Sequence, residues 1–285
     1  MYRIPLIDLP GFNSMNAYSF EQLFFEDAPA IEQYKRFKQE IENAITKKKF
    51  LPIMRMCDGE YIYCIGKKRN QSLTGLRAVK FYLGKILKRH VTSWGETYTR
   101  KQNMELKIKF PKMLKRIAAH GYIANHFVYS PPHFCEEYID PIIKWYKKNE
   151  IVLNSNNSTA FYFVYTLLNG PDSLSLFNNR NLLILSSFDE FKRTAVAKEL
   201  KRRGAKNIEF RSISQTQSML DSFDLSDFKG KTDIVLIAGG IGSANILLLC
   251  ESLATVCIDS GFCLECLADS SKCIERPFCL PDSVF

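Results

Sequence analysis

The sequence predicts an α/β domain of Rossmann-like type, with a mainly parallel sheet and helices on both faces. Three observations predict it. Short apolar runs alternate with helix-length segments over most of the chain, as a parallel sheet built from crossover units requires. Several of those runs end in glycine or short polar residues, which is how a ligand pocket at strand carboxyl ends reads in one dimension. The chain has 285 residues, 46% hydrophobic and 24% charged, enough for one sizeable core and an ordinary globular balance.

The elements follow in order. Residues 1–30 read as an irregular arm with aromatic anchors at Phe12, Tyr18, Phe24 and Phe25. Ile31, Tyr34, Phe37, Ile41 and Ile45 recur at helical spacing, so 31–47 reads as a helix closed by Lys47–Lys49. Residues 50–56 form an apolar run, with Pro52 suited to a strand start or an edge. Asp58-Gly59 breaks it, and a helix follows from Glu60. Segments 79–90 and 103–119 read as helices, the second kinked or split at Pro111. Residues 122–129 and 151–154 read as strands, with helices over 134–148 and 159–168. Strands are expected at 181–186, 208–212, 233–238 and 255–259. Helices are expected at 190–203, stopped by Gly204, and at 243–253, opened by the glycine turn 239–242. Residues 1–48 read as an arm and helix packed on a single domain over 49–285, with a soft boundary near 170–179.

Composition bounds the function. The net charge is +9 with a pI near 9.0, which attracts anions without choosing among nucleic acid, membrane surface and phosphorylated small molecules. Much of the charge sits in Lys35–Lys49, Lys80–Arg89 and Arg100–Arg116. Each also carries apolar residues at helical spacing, as in Phe81, Leu83, Ile86 and Leu87. That pattern suits solvated amphipathic helices; a basic face toward a membrane or a polyanion is the functional alternative. Nine cysteines, no secretory leader and no apolar run long enough to span a bilayer predict a cytoplasmic, reducing setting with thiols, and a peripheral membrane contact at most.

The motif that carries chemistry is Arg55-Met-Cys-Asp58-Gly59-Glu60. Two carboxylates across a glycine at a strand end suit Mn²⁺ or Mg²⁺ shared with a diphosphate. The planar fork of Arg55 suits a phosphate oxygen, and Gly59 allows a ligand close to the backbone. The same residues also suit a surface turn with acidic side chains in the first turn of a helix.

This motif resembles the R-F-G-D-G-E signature of bacterial GT-D-fold glycosyltransferases, whose D-x-E pair binds the metal and the nucleotide diphosphate. A second point of resemblance lies near the C-terminus. There the strand 234–238, the helix 243–253 and Val256-Cys-Ile-Asp259-Ser-Gly261-Phe262 follow the family's order, which ends in an Asp-Ile-Gly-His type sequence. The resemblance covers roughly 50–265. Cys57 stands where the family has glycine and Phe262 where it has histidine, so that histidine's role does not carry over. Trp94–Arg100 is the candidate for the family's middle arginine motif. The resemblance implies a glycosyltransferase that moves a sugar from a nucleotide-diphosphate donor, a UDP-sugar, to a glycan or glycolipid acceptor. Asp58 and Glu60 would bind the metal, and Arg55 would help neutralise the departing diphosphate. Asp259 is a candidate base by position. Asn154, Asn156, Ser187 and Gly240 are candidate donor or acceptor contacts at strand ends.

Two rival readings remain at this point. Gly239-Gly240-Ile-Gly242 opens a helix, and Asp259 ends the next strand, as in a dinucleotide- or S-adenosylmethionine-binding unit; Asn245 stands where the third glycine of the fingerprint belongs. The basic helices would suit a nucleic-acid-binding module. Cys263, Cys266, Cys273 and Cys279 are candidates for zinc or for plain thiols. Among the histidines, His126 and His133 are placed to reach the pocket, while His90 and His120 show no catalytic spacing.

Overall fold

The computed structural model describes residues 1–12, 20–66, 83, 89–91, 97–129 and 136–274. The chain opens with a hairpin, β1 (Tyr2–Pro5) antiparallel to β2 (Glu21–Phe24). Then come α1 (Ala30–Thr46), β3 (Leu51–Met56) and α2 (Asp58–Ile65). β4 (Arg89–Val91) and β5 (Thr97–Thr99) form a second antiparallel pair, followed by α3 (Arg100–His120) and β6 (Tyr122–Asn125). The next elements are α4 (Glu136–Lys148), β7 (Ser158–Ala160), α5 (Phe161–Asn169) and α6 (Asp172–Phe177). β8 (Asn181–Ser186), α7 (Glu190–Arg202), β9 (Asn207–Ser212) and β10 (Ile234–Ala238) follow. The described chain ends with α8 (Ser243–Leu249), β11 (Val256–Asp259), α9 (Phe262–Ala268) and α10 (Ser271–Ile274).

Seven strands form one sheet in the order β7-β6-β3-β11-β10-β8-β9, and every neighbouring pair is parallel. Period-two alternation divides its side chains between two cores. Ile53, Ala124, Ile184, Leu236 and Ile258 pack toward α1, α5, α7 and α9. Met54, Ile123, Leu183, Val235 and Cys257 pack toward α2, α3, α4 and α8. Strands buried on both faces read as continuous apolar runs, which is why 181–186 and 234–238 stood out in the sequence. The α/β expectation, a mainly parallel sheet covered on both faces, is what the structure shows.

Four local expectations are corrected. The arm of residues 1–30 contains the β1–β2 hairpin; Ile4 and Phe24 are buried in the first core, and Leu23 N–H bonds to Phe127 O. Residues 151–154 are not a strand. Asn154 and Asn157 fold the chain into a turn, with Asn156 N–H donating to Asn154 Oδ1 and Asn154 N–H to Asn157 Oδ1, and the strand begins at Ser158. The strand expected over 122–129 stops at Asn125. Pro111 does not split α3, which runs unbroken from a Thr99–Gln102 capping box through buried Leu106, Phe110, Leu114 and Ile117. That apolar stripe holds the helix across the missing proline N–H. Most of the helix expected over 79–90 lies outside the described residues, and Arg89 and His90 belong to β4. Tyr18, Lys80, Phe81, Ile86, Leu87, Trp94, His133 and Cys279 also lie outside them. α6 occupies most of 170–179, and its Leu176 and Phe177 pack in the same core as Leu182 of β8.

Leu236 is fully buried in the central strand β10. Leu236→Ala is expected to lower the unfolding free energy by about 2–5 kcal/mol. Phe191→Ala, at a side chain 84% exposed on α7, should stay within about 0.5 kcal/mol of the parent. Denaturant titration of the two variants checks the assignment of the core.

Candidate functional site

The chain's connections diverge beside the β3–β11 pair. β3 leads outward to β6 and β7, whereas β11 is reached from β10 on its other side. Ligand crevices of open α/β sheets form at the carboxyl ends of strands at such points. Arg55 sits at the carboxyl end of β3 and Asp259 is the last residue of β11. Arg55 is only 8% exposed. Its Nε donates to Asp259 O at 2.7 Å and lies 3.6 Å from Asp259 Oδ2, while its backbone N–H donates to Oδ2 at 3.3 Å. Nη1 donates to Tyr165 Oη at 3.2 Å. The guanidinium carbon lies 5.1 Å from the Phe161 ring centre and 5.5 Å from that of Tyr165. The cation is thus wedged between a carboxylate and two aromatic faces, both attractive to it. Burial works against the charge, but Asp259, Tyr165, Cys263 and Glu60 together outweigh it, so the guanidinium is held firmly protonated.

Gly261 is required by this packing. Its φ is +42°, and a Cβ there would stand 1.7 Å from Arg55 Nη2. The second oxygen of Asp259 accepts from Ser243 Oγ at 2.9 Å, at the start of α8. Burial raises the Asp259 carboxyl's pKa, with Arg55 and Ser243 acting in the opposite direction.

Asp58 and Glu60 occupy the first turn of α2, so this helix begins two residues earlier than expected. Glu60 is 6% exposed and curls back so that Oε2 accepts from Cys57 N–H at 3.1 Å, half of a capping box. Its pKa is pushed up to about 8, chiefly by burial and then by the negative charge of Asp259, with Asp58 adding to the same effect. The D-x-E carboxylates therefore sense one another although side chains two apart on a helix do not face each other. Among the described residues of this cluster, Asp58, Glu60 and Asp259 stand against the cation of Arg55, an excess of negative charge that suits a hard cation. Among the described residues no group of three or more His, Cys, Asp or Glu side chains could hold a metal by itself.

His126 follows β6 and comes to the same end of the sheet. Its Nδ1 lies 3.2 Å from Cys57 Sγ, its Nε2 is hydrogen-bonded to Tyr162 Oη, and its backbone N–H donates to Tyr61 Oη at 3.0 Å. The His126 and Phe161 rings are 5.0 Å apart, so Phe161 touches both His126 and Arg55. The sequence singled out His126 but missed Phe161, Tyr162, Tyr165 and Ser243. The aromatic cluster 161–165 was the available signal: α5 starts directly after the edge strand β7 and turns these rings toward the crevice.

The other expected contacts do not all converge. Ser187 is exposed just past the carboxyl end of β8. Asn154 and Asn156 precede β7, so they lie at the amino end of the sheet, opposite Arg55. Gly240 and Gly242 form a tight turn after β10, but the turn is occupied by the chain itself. A Cβ on Gly242 would fall 1.8 Å from Ser218 Oγ, which donates to Gly239 O at 2.9 Å. Asn245, where a fingerprint glycine was expected, donates to Asp221 O at 2.8 Å and locks the same loop. Gly242 thus serves close packing of Ser218, and Gly240 takes a positive φ of 52° in the turn. Cys263 and Cys266 are buried in α9 within the first core. His120 ends α3 against Phe50, which precedes β3, so it lies at the amino ends of the strands, opposite Arg55. A groove of about 480 Å³ lined by Arg193, Lys198, Lys201 and Phe210 lies between α7 and the edge strand β9. It is four strands from β3, about 19 Å at ordinary strand spacing.

Fold and site together define an α/β protein with a buried arginine–carboxylate cluster, backed by aromatic rings, at strand carboxyl ends. No family model matches the sequence, and no curated protein matches it. Two solved structures of the domain of unknown function 1792 are similar to the chain, each at 13% identity over 88% of this chain and 87% of that one. One is a selenomethionine-substituted form, with a TM-score of 0.49. The other, with a TM-score of 0.48, is described as having a distinct glycosyltransferase fold.

Two outcomes are expected at this site. Gly261→Ala must push the Arg55 guanidinium out of place and strain a left-handed backbone, lowering stability by about 1–3 kcal/mol in thermal or denaturant unfolding. Glu60 makes stability depend on pH. Below its ordinary value of 4.5 it is protonated in both states; as pH rises toward about 8 the unfolded chain ionises first, and the stabilising contribution is lost. Glu60→Gln should therefore flatten the fall in stability between these pH values. Parallel pH–stability curves for the two proteins would contradict the assignment.

Proposed function

We propose that this chain is a glycosyltransferase that takes a sugar from a nucleotide diphosphate, a UDP-sugar, and delivers it to a glycan or glycolipid acceptor. The observation that carries the reading is the convergence of Arg55, Asp58, Glu60 and Asp259 at the carboxyl ends of β3 and β11. These are the residues on which the sequence resembles the GT-D glycosyltransferases at both ends of the domain. Asp58 and Glu60 would hold Mn²⁺ or Mg²⁺, whose positive charge assists departure of the diphosphate. Two protein carboxylates with substrate phosphates completing the shell is an ordinary arrangement for such an ion.

In this reading the acceptor hydroxyl attacks the anomeric carbon as the bond to the diphosphate oxygen breaks. Its proton passes to a general base, and the nucleoside diphosphate leaves with the bonding pair. Arg55 meets the charge that develops on the diphosphate, pre-oriented by Asp259 and the two aromatic rings rather than by water. Both oxygens of Asp259 are already engaged, by Arg55 N–H and Ser243 Oγ. The proposal therefore assigns it the positioning of Arg55 in place of the base role suggested by its position in the sequence. The walls of aromatic side chains suit a base or sugar face. A lipid-linked acceptor would call for a peripheral membrane contact. Among the described residues no helix is long and apolar enough to cross a membrane.

Thermal shift with UDP and Mn²⁺ tests the donor site. At a ligand concentration about 100 times Kd the stabilisation is about 2.7 kcal/mol, several degrees for a chain of this size. The shift should need both components and vanish in Asp58→Ala and Glu60→Ala. Arg55→Lys keeps the charge but loses the fork, and sugar transfer should fall about 100-fold or more. Stabilisation by NAD or S-adenosylmethionine with none by UDP plus Mn²⁺ would overturn the reading.

A further inference from the structure

The basic helix α3 has two unlike ends. Over Arg100–His120 it carries seven Lys or Arg residues against one Glu. Near its C-terminus the charges are engaged: Lys115 Nζ bonds Glu150 at 2.9 Å, and Arg116 pairs with Glu251. Over residues 100–112, Arg100, Lys101, Lys109 and Lys112 have no ion-pair partner among the described residues. Lys107 leans over the Tyr63 ring instead, at 5.8 Å.

Two large apolar side chains stand among these cations. Met104 is 55% exposed and Ile108 65%. Lys101, Met104, Ile108 and Lys112 are spaced three, four and four apart, so they share one outward stripe about 16 Å long. Leu106, Phe110, Leu114 and Ile117 occupy the opposite, buried face. Among the described residues no other exposed apolar pair lies one helical turn apart. Solvation alone explains lysines on an outer face; it gives no reason for a methionine and an isoleucine at the crest.

The topology fixes where this stripe lies. α3 enters β6 through Gly121 alone, so it runs antiparallel to the sheet strands. Its N-terminal half therefore lies toward the carboxyl ends of the strands, the end that carries Arg55 and Asp259.

We propose that the outward face of α3 over residues 100–112 docks on an anionic lipid surface. Met104 and Ile108 enter the interface between headgroups and acyl chains, and Lys101, Lys109 and Lys112 meet the acidic headgroups around them. Interleaved basic and apolar residues on one helical face are the interfacial pattern. A phosphate backbone would use the cations and leave the apolar pair without a role. Docking in this orientation brings the open end of the crevice to the bilayer; that it meets a lipid-linked acceptor there rests on the transferase reading, whereas the docking itself rests on α3.

Co-sedimentation of the full chain with vesicles is the test, using phosphatidylcholine alone or mixed with phosphatidylglycerol. Binding is expected only to the mixed vesicles and should weaken with salt. Lys101→Ala and Lys112→Ala should each lower it about fivefold. Met104→Ser with Ile108→Ser should lower it with no change in net charge, and the melting temperature should hold because both side chains are exposed. No binding to mixed vesicles, or binding indifferent to the two serine substitutions, overturns the proposal. So does an oligonucleotide that binds more tightly than the vesicles and ignores those substitutions. The serine variant should keep its response to UDP plus Mn²⁺, so failure at the membrane and failure at the donor site are read separately.

Discussion

A buried guanidinium is the constraint around which this structure is arranged. Arg55 and Asp259 are 204 residues apart in sequence, yet they join the first and last strands of the main sheet edge to edge. A cation so shielded from water is tolerated only with matched partners. The partners come from three elements: the carboxylate and carbonyl of β11, the rings of α5, and the left-handed turn at Gly261 that leaves room for Nη2. Ser243 then fixes the carboxylate from the other face of the sheet. Removing any one partner leaves the rest holding a charge in the wrong place. Fold and site are for this reason hard to separate here: the closing strand pair of the sheet is also the floor of the crevice.

The sequence was most legible where one force dominates. Strands buried on both faces, such as 181–186 and 234–238, must be apolar throughout and show it. α1 and α3 carry their buried stripes openly, and Pro111 misled only because capping and packing outweigh one absent N–H. Legibility failed where short polar side chains compete for the backbone. Asn154 and Asn157 use their amides to build a turn, which moves the strand to Ser158 and carries Asn154 and Asn156 away from the crevice. The β1–β2 hairpin was unreadable because its stability comes from packing against the distant core of α1 and α5, not from its own pattern.

At the site, residue identity was legible and geometry was not. Arg55, Asp58, Glu60 and Asp259 could be named from the motif, but Asp58 and Glu60 sit on a helix rather than across a strand end. The aromatic lining was hidden for a different reason. Phe161, Tyr162 and Tyr165 read as ordinary helix core, and only the position of α5 on β6 and β7 turns Phe161 and Tyr165 toward Arg55 and Tyr162 toward His126. The glycine turn at 239–242 shows the reverse error: a pattern typical of phosphate binding is used to seat Ser218 against the backbone.

The charge inventory makes the nature of an incoming ligand a physical question. Glu60 and Asp259 each hold a proton more tightly than usual chiefly because they are buried; at Glu60 the negative charges of Asp259 and Asp58 add to the effect, whereas at Asp259 Arg55 and Ser243 oppose it. A diphosphate entering beside them would add further negative charge, which Arg55 alone cannot balance while it is committed to Asp259. Two devices relieve the conflict: a proton on Glu60, or a divalent cation between the carboxylates and the phosphates. The first is available only up to about pH 8, and it weakens Glu60 as a ligand. The second removes the repulsion at its source and makes the Glu60 proton unnecessary. In the proposed transferase, anion binding, cation binding and proton release would therefore be coupled at this site.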